Sequence, residues 1–443
     1  MKTITKPQKF AAIFFLFSCL IGISNLYAQK IDVKEKAKTA ATNKADRKVD
    51  ETIDKGLDKL EKGIGGLFKK KDKSNETAEK DKTKKSKDGE ANTTNKSTDQ
   101  PSFSTYNKFD FVPGDKILAY DDFKQDALGD LPAKWNSTGG AEIAKVNGSE
   151  FNWVQLSGAD AFFSPQYTAK MPDNCTIDFD MIVTFNQESN WYQRFYIELL
   201  SSAKLAATSE KAYMPSNSGI SFEVWPRSNE ITAKSYLKGE TLMESAAQFS
   251  KLNTRKPIHV SIMRQLQRVK IYFNEKKIFD LPQALAVEPN YYLRFGTFVQ
   301  DEGDSETTKM YVSNLRYAVG KPDMRNKLLT EGKLVTRGIL FDSGSAVIKA
   351  QSAGVLKEIA AVLNENPQLR VKIVGHTDSD GDNAKNLQLS EQRAMAIKIA
   401  LVNDFNVNED HLTAEGKGET QPSDVNTTTA GKANNRRVEF IKI

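Results

Sequence analysis

The sequence predicts a multidomain protein: an all-β antiparallel sandwich over residues 109–320, followed by an α/β two-layer sandwich of order βαβαββ over 330–443. Three observations predict it. Short runs between 109 and 320 alternate apolar and polar residues and are divided by turn residues, the period-2 signature of antiparallel strands. From Gly332 onward, strand-like runs alternate with stretches of helical period, the mark of helices laid on a sheet. Between residues 29 and 106 the chain is rich in Lys, Asp, Glu and Thr and poor in aromatics, so it cannot bury enough apolar surface to offset chain entropy.

The 443 residues are enough for two or three domains. Lys2, Lys6 and Lys9 precede an apolar run from Phe10 to Ile23 and then Leu26-Tyr27-Ala28, which reads as a secretory signal peptide over 1–28. The run is short for a spanning helix. Residues 29–106 follow as a Lys-rich, largely disordered segment. Within it, Val49, Ile53, Leu57, Leu60, Ile64 and Leu67 recur at three- and four-residue steps, predicting an amphipathic helix at about 45–70 that Gly56, Gly63, Gly65 and Gly66 weaken. The net charge of +6 belongs to this region and the signal, so the folded part is near neutral and no nucleic-acid footprint is expected. After cleavage Cys175 is the one cysteine left, read as a buried structural thiol. The three histidines, His259, His376 and His411, fall in no catalytic pairing, and the pattern calls for no cofactor and no metal.

Between 109 and 320 the predicted strands are Cys175–Phe185, Arg194–Leu199, Gly219–Trp225, His259–Arg264, Val269–Asn274 and Met310–Tyr317. Ile177, Phe179, Met181 and Val183 share one strand face, as do Ile258, Val260 and Ile262. Asp178 and Asp180 lie on the opposite face and read as solvent-side carboxylates, because a glycan-cleaving strand would need a third acid in register. Trp153, Trp191 and Trp225 are read as packing residues that could also stack on sugar rings. A small outer-membrane barrel is the alternative. Charges on both parities, as at Glu275-Lys276-Lys277, and runs shorter than the roughly 9–11 residues a spanning strand needs count against it.

In the C-terminal region, Val335–Asp342 reads as a strand, Ala350–Asn364 as a helix, Leu369–Gly375 as a strand and Leu389–Val402 as a second helix. His411–Glu415 and Val438–Ile443 complete the sheet. Asp378 falls in the turn leaving the second strand and Arg393 in the early turns of the second helix, with Asn386 before that helix and Thr377 beside the acid. An acid and a guanidinium fixed across one pocket grip a zwitterion, with ammonium on Asp378 and carboxylate on Arg393. The bland reading is a salt bridge between the two.

Tyr120–Trp135 resembles the opening strand and turn of concanavalin A-like jelly-roll domains, and Arg268–Pro282 with Met310–Tyr317 resembles the hairpin and closing strand of laminin-G-type members. That fold hosts lectins, glucanases and structural modules, so it fixes no function. The C-terminal region carries F-D-S-G-S-A-V-I (Phe341–Ile348), G-H-T-D (Gly375–Asp378), N-x-x-L-S-x-x-R-A (Asn386–Ala394), G-K-G-E-x-x-P (Gly416–Pro422) and N-x-R-R-V-E (Asn434–Glu439). In this combination it resembles the OmpA-like peptidoglycan-binding domain family. The resemblance implies non-covalent binding of the diaminopimelate stem peptide of peptidoglycan. Asp378 would take the ammonium, Arg393 the carboxylate, and Asn386, Thr377 and Arg437 would line the pocket, with Asp342 at the end of the first strand. It implies an exported, non-enzymatic envelope protein of the periplasm or outer membrane, whose sandwich meets a glycan or an envelope protein. The rival is a carbohydrate-active enzyme or lectin with a wall-anchoring domain.

Overall fold

The computed structural model describes residues 109–201, 218–287, 290–320 and 323–443. The expected signal peptide, the Lys-rich segment and its amphipathic helix lie outside the described residues.

The first described domain contains β1 (Lys116–Asp121), β2 (Trp135–Ser137), β3 (Gly140–Lys145), β4 (Asn152–Ser157), β5 (Asp160–Pro165), β6 (Asn174–Thr184), β7 (Gln193–Ser201), β8 (Gly219–Trp225), β9 (Glu230–Leu237), β10 (Glu240–Gln248), β11 (Ile258–Gln265), β12 (Arg268–Phe273), β13 (Lys276–Leu281), β14 (Tyr291–Val299) and β15 (Lys309–Val319). They form two open antiparallel sheets. The eight-stranded sheet runs β13-β12-β11-β6-β15-β4-β3, with β1 also pairing β15, and the seven-stranded sheet runs β10-β9-β8-β7-β14-β5-β2. This is a sandwich and not the closed barrel weighed as an alternative.

The period-2 pattern explains the core. Ile177, Phe179, Met181 and Val183 of β6 and Val260 and Ile262 of β11 meet Phe195, Ile197, Phe222 and Phe295 of the facing sheet. Phe179 stands edge-on to Phe295 at 5.2 Å, and Trp135 stacks on the same ring at 5.7 Å. Cys175 is buried here, and burial pushes its thiol up to about 12. Trp153 is buried, Trp225 partly so, and Trp191 exposed. The hairpin of β12 and β13 turns at Asn274, whose φ of 53° suits a tight two-residue connection.

The outer face of the eight-stranded sheet is also buried, which overturns one expectation. Asp178 is 3% exposed and pairs with Arg316, while Asp180 accepts from Asn314 at 2.9 Å and lies 2.8 Å from His259. These are not solvent-side carboxylates, because the second domain covers this face of the sheet.

The second domain runs α1 (Met324–Leu329), β16 (Lys333–Thr336), α2 (Ala353–Glu365), β17 (Val371–His376), α3 (Asn383–Phe405), β18 (Leu412–Gly418), α4 (Thr429–Asn435) and β19 (Val438–Lys442). Its four-stranded sheet has the order β16-β19-β17-β18, with β17 and β18 parallel and the other pairs antiparallel. The expected βαβαββ frame is present, with short helices added before β16 and between β18 and β19. Two boundaries move. The first strand stops at Thr336, so Asp342 lies in a loop, and α3 starts at Asn383 and not at Leu389.

The domains dock through backbone-directed bonds that pattern reading does not see. The Asn434 side chain accepts from the Ile117 N–H at 3.1 Å and donates to its carbonyl at 3.0 Å, so one amide pairs with β1 as a neighbouring strand would. Thr429 Oγ1 donates to the Tyr120 carbonyl at 2.7 Å, and Lys327 meets Asp115 at 2.6 Å. Phe109 and Phe111 pack on Tyr272 of β12 at 5.5 and 5.7 Å and on Ala353 of α2. Gly354 is required at this crossing, because a Cβ there would stand 2.4 Å from the Phe111 carbonyl oxygen.

Candidate functional site

A cleft of about 600 Å³ opens where the C-terminal end of β17 and the start of β19 face β1, β6, β11 and β15 of the sandwich. Glycine builds it. A Cβ at Gly375 on β17 would lie 2.3 Å from the Ser390 carbonyl oxygen, and one at Gly416 on β18 would lie 2.5 Å from the Glu391 nitrogen. Helix α3 therefore rests directly on the strand backbones, and the Gly418 N–H donates to Ser390 Oγ at 2.9 Å. This close approach brings the turn after β17 and the middle of α3 to one cavity. Along α3, Asn386, Ser390, Ala394, Ile397, Leu401 and Phe405 form the buried stripe.

Asp378 is 8% exposed and lines the cleft. Its carboxylate accepts from the Asp380 N–H at 3.3 Å and from Arg436 at 2.5 Å. Arg393 sits in the third turn of α3 on the same cleft. Its guanidinium stacks on Phe341 at 4.8 Å and donates to the Ser345 carbonyl at 2.8 Å and the Asp342 carbonyl at 3.4 Å. Among the described residues no carboxylate lies in ion-pair range of it. Burial, and then the charge of Arg436, lowers its pKa to about 10, against a smaller pull from Asp378. The salt bridge between Asp378 and Arg393 does not form. The acid is answered by Arg436, and among the described residues no carboxylate pairs with Arg393.

The other expected lining residues divide. Thr377 is 5% exposed with its hydroxyl unpartnered, while its N–H donates to the Gly418 carbonyl at 2.9 Å. Asn386 lies inside the first turn of α3, not before it, and its amide is spent on the fold. It donates to Glu419 at 2.6 Å, the Asp380 carbonyl at 3.1 Å and the Asp378 carbonyl at 3.4 Å, so it pins the acid's turn to the helix. Arg437 borders the cleft but turns its guanidinium to Glu439 and to the Gln421 carbonyl, both at 2.9 Å. Asp342 is exposed, with its carboxylate 3.8 Å from Lys349, and serves Arg393 through its carbonyl. The helix N-terminus is already taken, because the Asp382 carboxylate accepts from the Lys385 N–H at 3.0 Å. Two further residues line the cleft, Arg436 of the N-x-R-R-V-E motif and Tyr120 of the sandwich. Arg436 was separable from its neighbour Arg437 only by strand parity, since adjacent residues entering β19 face opposite ways. Tyr120, from the sandwich, carries no sequence signal for a site in another domain. Among the described residues no group of three His, Cys, Asp or Glu side chains could hold a metal ion.

Residues 340–436 match the OmpA family model. The C-terminal domain is an OmpA family domain. Over 133 residues the chain is 36% identical to the probable lipoprotein YiaD of Escherichia coli (strain K12), covering 28% of this chain and 60% of that protein. It is 43% identical over 101 residues to outer membrane porin F of Pseudomonas fluorescens, which covers 23% of this chain and 31% of the porin. Among solved structures, the peptidoglycan-associated lipoprotein from Burkholderia pseudomallei aligns at 28% identity with a TM-score of 0.23, over 27% of this chain and 98% of that one. The chain thus spans less than two thirds of the length of these curated relatives.

Proposed function

We propose that this chain binds peptidoglycan non-covalently and tethers its sandwich domain to the cell wall. The single observation that carries the reading is Arg393, a half-buried guanidinium without a carboxylate partner among the described residues, on the cleft that also holds Asp378. The two carbonyl hydrogen bonds and the Phe341 stack answer its hydrogen-bonding groups but not its charge, so the arrangement suits a ligand that brings the carboxylate. A zwitterion satisfies both walls at once, and the side-chain end of a diaminopimelate stem peptide is one. The role is one of binding and not of catalysis. Asp178 and Asp180, the carboxylates a sandwich enzyme would have needed, are tied to Arg316, His259 and Asn314 under the docked domain. In this reading residues 1–28 direct export, residues 29–106 act as a spacer, and the protein works in the periplasm at the outer membrane. The sandwich carries the cargo, an envelope protein or a glycan. The test is a pull-down of the full chain on purified sacculi, in which wild type sediments and Asp378→Ala and Arg393→Ala stay in solution. Equal sedimentation of all three sinks the site assignment.

A further inference from the structure

The family domain does not build the cleft alone. Tyr120, on β1 of the sandwich, faces Arg436, whose guanidinium lies 5.4 Å from the ring centroid while it donates to Asp378 at 2.5 Å. One cation thus spans an aromatic face of one domain and the acid of the other. The ring is held rigidly. Its hydroxyl donates to Asn314 Oδ1 at 3.1 Å, and Asn314 is fixed in turn by Asp180, which His259 flanks at 2.8 Å. The Tyr120 carbonyl accepts from Thr429 of α4. A ligand ammonium that reaches Asp378 competes with Arg436 for the same carboxylate. Two cations then share one acid, and the π-face of Tyr120 is a second seat already within reach of Arg436.

We propose that Tyr120 is a positioning residue for zwitterion binding: it holds Arg436 while Asp378 accepts the ligand's ammonium, so docking of the sandwich sets the affinity of the clamp. This rests on the peptidoglycan reading above. It also predicts selectivity. A dicarboxylate without an amine leaves Arg436 on Asp378 and does not need the second seat.

The experiment is calorimetric titration of the full chain with meso-diaminopimelate and with pimelate, its amine-free analogue. Tyr120→Leu should weaken diaminopimelate binding roughly three- to five-fold, the size of a partly exposed cation–π contact, and leave pimelate within about two-fold. Tyr120→Phe, which keeps the ring, should bind both as wild type does. In an Arg436→Ala background Tyr120→Leu should have no further effect, whereas a merely structural role would weaken binding in either background. Loss of affinity for both ligands alike, no loss for either, or an undiminished effect without Arg436 overturns the proposal. Arg393→Ala separates the two failures. If it abolishes binding while Tyr120→Leu does nothing, the clamp stands and the role of Tyr120 falls. If wild type binds neither ligand, the peptidoglycan reading itself falls and this proposal with it.

Discussion

Replacing Arg393 by alanine isolates the half of the clamp that the fold leaves unanswered. In the folded chain the guanidinium gains two carbonyl hydrogen bonds and a stack on Phe341, and it bears the cost of desolvation and of Arg436 nearby. These oppose one another, so the substitution should change stability by no more than about 1 kcal/mol in either direction. Binding is different. A hydrogen bond to a charged group contributes about 1.5–3 kcal/mol, and a buried ligand carboxylate left without a partner loses at least that. The expected loss of about 2–3 kcal/mol is roughly 30- to 150-fold in Kd. Arg393→Lys keeps the charge but not the planar fork and should fall between the two. Titration of the full chain with a diaminopimelate-containing tripeptide measures Kd, and a thermal melt reads stability on the same samples. An Arg393→Ala chain that melts normally and binds within about two-fold of wild type refutes the reasoning. A chain that loses binding only because it unfolds shows the arginine to be structural.

Other consequences concern the frame around the clamp. Asn434→Ala leaves the Ile117 N–H and carbonyl without their buried partner and should cost about 2–4 kcal/mol in denaturant unfolding, whereas Asn434→Asp should restore only the acceptor half. Gly375→Ala forces a Cβ against the Ser390 backbone and should cost about 1–3 kcal/mol while weakening ligand binding, because α3 lifts off β17 and carries Arg393 with it; unchanged binding would show that the close approach is not what positions the clamp. At the covered face, burial pulls the His259 pKa down, but the hydrogen bond to Asp180 and the charges of Asp180 and Asp178 outweigh it and leave the pKa raised. A raised histidine pKa contributes stability that is complete below about pH 6.5 and lost as pH rises through the folded value. Wild type should therefore lose stability relative to His259→Gln between mildly acidic and mildly alkaline pH, measured as the difference in Tm across that range, and a constant difference would contradict the assignment.

How much of this was legible in the sequence depends on whether the determinant is local. The hairpin Arg268–Pro282 appears as β12 and β13 because alternation and a turn residue are local signals. The core faces of β6 and β11 follow from period 2 alone. Strands β2, β3, β4, β5, β9, β10 and β14 were not singled out; β2 is only three residues long, and β10 and β14 break the alternation at Ala246-Ala247 and Tyr291-Tyr292, whereas β9 alternates Ile231 and Ala233 with Thr232 and Lys234 and was legible. The start of α3 was missed because Asn383-Ala384-Lys385 carries no apolar stripe, while its real start signal, Asp382 as N-cap, lies among other acids and glycines. In the site, the turn carrying Asp378 and the helix carrying Arg393 were readable from the motif. The partner of Asp378 was not, since choosing Arg436 over Arg437 needs the parity of β19. Least legible was the burial of Asp178 and Asp180: a carboxylate on an outer sheet face reads as solvated until another domain is found on top of it.

A crystal structure of the full chain with a diaminopimelate-containing tripeptide decides whether a zwitterion lies between Asp378 and Arg393. The ligand's side-chain ammonium should lie on the Asp378 carboxylate, its carboxylate in a fork with the Arg393 guanidinium, and Arg436 withdrawn onto Tyr120. A tripeptide bound elsewhere, or seated with Asp378 and Arg436 still paired and Arg393 untouched, would contradict it.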